Sequence, residues 1–204
     1  SNIWKKVLIN NGSVQWHVHL NTIKNGYWLR ENSNFTKKKI IKNNYILFKK
    51  SLKKPRCVRI GEAFINNNIA NYISKLKIEA DSSALPGRKR YDKVKVFDWS
   101  KSLNKPYIMN KKNYQKSKKK YSPNDLIEIP MNTIKTKTSY DKKSLKRYFN
   151  LSFNNQILKK NLSNYITKND LIVTMTHPFE VVKNFKTKKN SKLISFSINE
   201  FEKN

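Results

Sequence analysis

The chain has 204 residues and carries 44 Lys and Arg against 13 Asp and Glu, a formal charge of +31. A surplus of that size bears on partners rather than fold, and nucleic acid matches its density, because phosphates release counterions as basic side chains replace them. At 37% hydrophobic, with 10 Tyr, 10 Phe and 4 Trp, the chain is too apolar for a disordered basic tail.

A single cysteine, Cys57, excludes a disulfide framework and any cysteine-based zinc site. Uncharged apolar runs are no longer than Leu171–Met175, far short of the roughly twenty residues of a spanning helix. Ser1 to Lys6 lack the apolar stretch of a secretory signal. The 38 Lys, 28 Asn and 20 Ile beside only 6 Arg fit an AT-rich gene, as organelle genomes often have.

Residues 1–30 alternate at period two. Val14, Trp16, Val18 and Leu20 share one face, and Asn25–Gly26 is a favoured hairpin turn. Residues 31–55 are basic, with one short apolar run from Tyr45 to Phe48, and suggest an extended arm. Residues 56–78 predict helix: Ile65, Ile69, Tyr72, Ile73 and Leu76 fall on one helical face, and Gly61 suits a tight turn between two helices.

Residues 79–107 contain Ser82–Ser83, Pro86–Gly87 and the cluster Arg88, Lys89, Arg90, which together read as an inserted loop. Tyr107–Met109 and Leu126–Ile129 predict strands around a basic turn, with Pro123–Asn124 turning into the second. A helix is expected over Lys142–Lys160, and closing strands at Leu171–Met175 and Leu193–Ile198. The implied domains are a basic extension with a hairpin (1–55), a central module (56–130) and a helix with closing strands (131–204).

No enzyme emerges from these residues. His17 and His19 place two rings on one face of a strand, with His177 a conceivable third ligand, yet no carboxylate or thiol cluster accompanies them. Asp125 and Glu128 alternate to opposite faces of a strand, and Asp125 is better placed to order the turn. Arg56 and Arg59 flank Cys57 and could lower its pKa, but a structural thiol is the simpler reading. No metal, cofactor, membrane or small-molecule substrate is implied. The basic turn is different: Lys111, Lys112, Lys116, Lys118, Lys119 and Lys120 are interleaved with Tyr114 and Tyr121, phosphate contacts beside stacking rings.

Two segments resemble the RNA-binding domain named after ribosomal protein S-four. Val58-Arg59-Ile60-Gly61-Glu62-Ala63 is similar to its first motif and Tyr72-Ile73-Ser74-Lys75-Leu76-Lys77-Ile78 to its second. Ile108-Met109-Asn110-Lys111-Lys112, followed by Ser122-Pro123-Asn124-Asp125-Leu126-Ile127-Glu128-Ile129, is similar to its hairpin and closing strand. Glu62 replaces the family's Phe, Lys75 and Lys77 replace its histidines, and residues 79–107 interrupt the module. In the tail, Tyr165–Ile166 and Ile198-Asn199-Glu200 resemble short pieces of the full ribosomal protein.

The resemblance implies an α+β fold with two short helices leading into a β-hairpin, flanked by basic extensions. It implies RNA contacts at Arg59, Asn66, Lys75, Lys77, Lys111 and Lys112, which Arg88, Arg90, Lys116, Lys118, Lys119 and Lys120 extend as neighbouring basic positions. The function it implies is rRNA organisation in an organellar small ribosomal subunit, among neighbouring ribosomal proteins and near the path by which mRNA enters. A mitochondrion is expected, with a plastid as the alternative. Other readings are an organellar ribosomal protein of small β-barrel type, the RNA-binding module of a modification or ribosome-rescue factor, and a DNA-packing protein.

Overall fold

The computed structural model describes residues 2–10, 12–91, 95–136, 142–152, 155–166 and 171–177. The fold is mixed α+β and divides into two compact units: residues 1–83, 90–97 and 106–129, and residues 84–89, 98–105 and 130–204.

In the first unit, helix α1 (Asn2–Ile9) precedes β1 (Trp16–Val18) and the hairpin β2 (Asn21–Lys24)–β3 (Tyr27–Arg30). The alternation expected here holds: Trp16, Val18 and Leu20 are buried and His17 and His19 exposed. Asn25 and Gly26 make the hairpin turn, with φ of 51° and 77°. Helix α1 was not anticipated.

Residues 31–55 are not an extended arm. They form helix α2 (Asn34–Ser51), whose first turn is capped as Ser33 Oγ accepts from Thr36 N. Ile41 is fully buried. Lys37 is buried as well, its ammonium donating to the Asn32 carbonyl at 3.2 Å and lying 4.4 Å from the Phe64 ring centre. Burial pulls the Lys37 pKa down. Lysine runs obscured this helix in the sequence because one of its core-facing positions is itself a lysine.

Residues 57–63 also depart from expectation. Cys57–Ile60 is strand β4, followed by a single 3-10 turn (Gly61–Ala63) in which Glu62 and Ala63 take φ of 57° and 55°. Only the second expected helix forms, as α3 (Asn67–Lys75), capped as Asn66 Oδ1 accepts from Ile69 N. Buried Ile69, Ala70 and Ile73 carry its core face. Cys57 to Ile60 alternate between half-buried and fully buried positions, the period of a strand.

The largest correction concerns residues 79–107. They contain β5 (Ala80–Asp81), which lies inside the main sheet, and then β6 (Lys89–Tyr91) and β7 (Lys95–Asp98), a separate two-stranded sheet. Asp81 to Pro86 are buried without a break. A two-residue strand followed by two serines has no readable periodicity; long-range pairing alone makes it a strand.

The main sheet is completed by β8 (Tyr107–Asn110), β9 (Asn113–Ser117) and β10 (Ile127–Glu128), in the order β1-β4-β5-β10-β8-β9. β1, β4, β5 and β10 run parallel, while β8 pairs antiparallel with β10 and β9. Because β1 pairs with β4, residues 1–55 and 56–130 share one sheet. The register lines up Trp16, Val58, Asp81, Glu128 and Tyr107 across five strands. All five are buried, and the Trp16 ring lies 5.8 Å from Tyr45 of α2. The opposite face is more open, with His17 exposed and Cys57, Arg59, Ala80 and Ile127 half-buried.

In the second unit, β11 (Thr133–Thr136) pairs antiparallel with β12 (Leu145–Tyr148), followed by α4 (Asn155–Ile166). The helix expected over Lys142–Lys160 therefore begins later, after a strand. Ile134, Phe149 and Leu158 form a core, with the Tyr165 ring edge-on to Phe149 at 4.9 Å. Tyr165 and Ile166 belong to α4 rather than to a strand. Leu171–Met175 is not a strand, although Asn132 N donates to the Val173 carbonyl and Met175 N to that of Phe149. Leu193–Ile198 and Ile198-Asn199-Glu200 lie outside the described residues.

Candidate nucleic-acid interface and the polar sheet edge

Helix α3 is stitched to the β8–β9 hairpin by side-chain amides. Asn67 donates to the Lys112 carbonyl at 2.6 Å and accepts from Tyr114 N at 2.9 Å, while Asn71 donates to the Lys111 carbonyl at 3.1 Å. Ser74 donates to the Asn124 carbonyl. These bonds fix the two-residue turn Lys111–Lys112 against the helix. Asn67 and Asn71 are thus the joint of the site.

Lys75 and Lys77 are exposed at the end of α3, and Lys111, Lys112, Lys116, Lys119 and Lys120 are exposed on and after the hairpin. Among the described residues, no carboxylate lies within ion-pair distance of Lys75, Lys77, Lys112, Lys116, Lys119 or Lys120. Lys118 differs. Its ammonium lies 2.6 Å from the buried Asp125 carboxylate, which also accepts from Ser122 N at 2.6 Å. Asp125 therefore orders the turn, as expected. Burial works to raise its pKa, but the Lys118 bond, the Ser122 N–H and the Lys118 and Lys111 charges outweigh it and hold the carboxyl low.

Several expected RNA contacts are spent inside the protein. Asn66 caps α3 and donates to Asn34. Arg59 is half-buried and donates to the Ser82 carbonyl at 2.8 Å and to Ser82 Oγ at 2.9 Å; burial pulls its pKa down. Arg88, also half-buried, donates to the Lys146 carbonyl at 3.2 Å, whereas Arg90 is exposed on β6. Tyr114 is buried and Tyr121 is 53% exposed, so only the latter can offer its ring.

A second polar assembly has no signature in the local sequence, because its members come from separate strands. Asp81 and Glu128 are both fully buried register neighbours, which sets two carboxyl groups side by side inside the sheet. Burial raises the Asp81 pKa. Ser83 Oγ donates to Asp81 at 2.6 Å and accepts from Ile60 N at 2.8 Å. Next in the row, burial, and then the charges of Glu128 and Asp81, drive the Tyr107 pKa up; its hydroxyl donates to the Tyr114 carbonyl. Burial, followed by the Asp81 charge, pushes the Cys57 thiol up to about 11, the reverse of an activated cysteine.

At the carboxyl end of β1, His17 and His19 meet with Nε2 atoms 3.1 Å apart and ring planes at 90°. Gly61 lets the His19 ring approach, since a Cβ there would meet His19 Nδ1 at 2.3 Å. Among the described residues, no group of three or more His, Cys, Asp or Glu is placed to hold a metal, and no helix is long and apolar enough to cross a membrane. No protein-family model, curated protein or solved structure matches the chain.

Proposed function

We infer that this chain is an RNA-binding protein whose contact surface is the α3–hairpin edge. One observation carries this reading: seven lysines are exposed there, and among the described residues six of them have no carboxylate within ion-pair distance, the seventh, Lys111, lying 4.0 Å from an Asp125 already engaged by Lys118. A cluster of uncompensated lysines on a pinned turn suits phosphate contacts, which give affinity without base specificity. The narrower proposal is an S-four-like constituent of an organellar small ribosomal subunit, mitochondrial or plastid. The α3–hairpin pairing and the order of the motifs support it; the strand at Cys57–Ile60, in place of a first short helix, counts against it.

Binding of rRNA fragments over a salt series tests the broader proposal. Replacing Lys111, Lys112, Lys119 and Lys120 with Ala should weaken binding and flatten its dependence on log salt, each lost phosphate contact lowering the slope by about 1. An unchanged slope would place the contact elsewhere. Co-sedimentation with small subunits tests the narrower form, and recovery in large subunits would favour another ribosomal protein.

A second reading rests on a different observation. Four parallel strands bring His19, Arg59, Ser82 and the turn at Gly61 to one carboxyl edge of the sheet, where ligands bind in open α/β sheets. Of the alternatives, an RNA-modification factor would use that edge, with His19 as the exposed group able to move a proton. A mass change in RNA on incubation with the purified chain, lost in His19→Ala, would select this reading over passive binding.

A further inference from the structure

The β2–β3 hairpin holds four large apolar side chains in the open: Ile23 is 64% exposed, Tyr27 73%, Trp28 67% and Leu29 47%. Single exposed apolar residues are ordinary; four between positions 23 and 29 on one ribbon form a concentrated apolar surface. The ribbon is preformed. Its turn residues Asn25 and Gly26 both have positive φ, as a type I′ turn requires, and its strands pair from Asn21–Arg30 to Lys24–Tyr27. At its base, Arg30 grips Glu62 with two bonds of 2.6 and 3.1 Å, and Glu31 N donates to the Leu20 carbonyl at 3.0 Å.

Cross-strand partners share a face of a ribbon. Ile23 and Trp28 therefore form one face, and Tyr27 stands with Lys24 on the other. An aromatic ring is thus offered on each side, with a lysine beside one of them.

We propose that this hairpin is a stacking platform for an unpaired stretch of RNA, an inference that rests on the RNA-binding reading above. A formal charge of +31 selects an anionic partner, and exposed rings on a fixed scaffold select one with accessible π-faces. A lipid surface engages one face of a ribbon, and a duplex hides the faces of its bases. An unpaired strand can lay bases against both sides while Lys24 meets a phosphate.

The test uses the full chain with a labelled oligouridylate, a duplex RNA of equal charge and phosphatidylglycerol vesicles. Trp28→Ala and Tyr27→Ala should each weaken oligouridylate binding about 5- to 150-fold, the range of one lost base–aromatic stack. Duplex affinity and salt slope should stay unchanged, and Trp28→Phe should retain most of the affinity. Equal losses for oligouridylate and duplex, or none for either, would overturn the platform. A loss confined to vesicles would assign the hairpin to lipid instead. If the unaltered chain binds neither RNA at low salt, both this inference and the RNA reading fall; if it binds RNA and Trp28→Ala is silent, only the platform falls.

Discussion

Ser83→Ala tests the placement of β5 within the sheet. Ser83 Oγ accepts from Ile60 N at 2.8 Å and donates to Asp81 Oδ1 at 2.6 Å, and the three residues are 0%, 1% and 0% exposed. Alanine removes both bonds and leaves a donor and an acceptor buried without them. Each such group costs about 1–3 kcal/mol, so the variant should lose about 2–6 kcal/mol. That is a large share of the roughly 5–15 kcal/mol that stabilises a typical domain. Urea unfolding, followed by circular dichroism and tryptophan fluorescence together, measures the loss and checks that the probes coincide. Lys120→Ala, at an exposed position, is the control and should stay within about 0.5 kcal/mol. A Ser83→Ala loss no larger than the control's would mean that residues 81–83 are surface loop and β5 is misplaced.

Four further outcomes follow from the same geometry. Asp81 has a raised pKa, so its protonated form favours the fold and its contribution is lost as pH rises through that value. Asp81→Asn should therefore flatten the decline of stability above the ordinary carboxyl range, as read from urea midpoints at several pH values. Asp125 has a lowered pKa, so its contribution is present at neutral pH and lost as pH falls through that value; Asp125→Asn should remove that part of the acid dependence. Cys57, with a thiol near 11, should react with iodoacetamide at pH 8 far more slowly than a free cysteine and speed up towards pH 11. Gly61→Ala places a Cβ 2.3 Å from His19 Nδ1, so it should destabilise the chain by about 1–3 kcal/mol and alter the His19 imidazole signals by NMR.

Parts of this fold were legible because their signals are local. The Asn25–Gly26 turn, the alternation of Trp16, Val18 and Leu20, the face of α3 and the ordering of the 122–125 turn by Asp125 each depend on residues a few positions apart. Other parts were misread because sequence neighbours do not decide them. Lys37 sits in a core position of α2, where its ammonium finds a carbonyl and an aromatic ring. Arg59 and Asn66 matched RNA-facing positions of a resembled module, yet both are engaged inside this protein.

By itself, the sequence determined that the chain is strongly basic, that it can bury a core, and that its lysines gather around residues 111–120. Those properties follow from composition and local spacing. Only the tertiary structure decided that Asp81 and Glu128 become one buried carboxyl pair, since residues 47 positions apart meet only through the pairing of β5 with β10. It also decided which basic groups face outward: burial and internal hydrogen bonds consume Arg59, Asn66 and Lys118, and leave Lys75, Lys77, Lys111, Lys112, Lys116, Lys119 and Lys120 exposed to a partner.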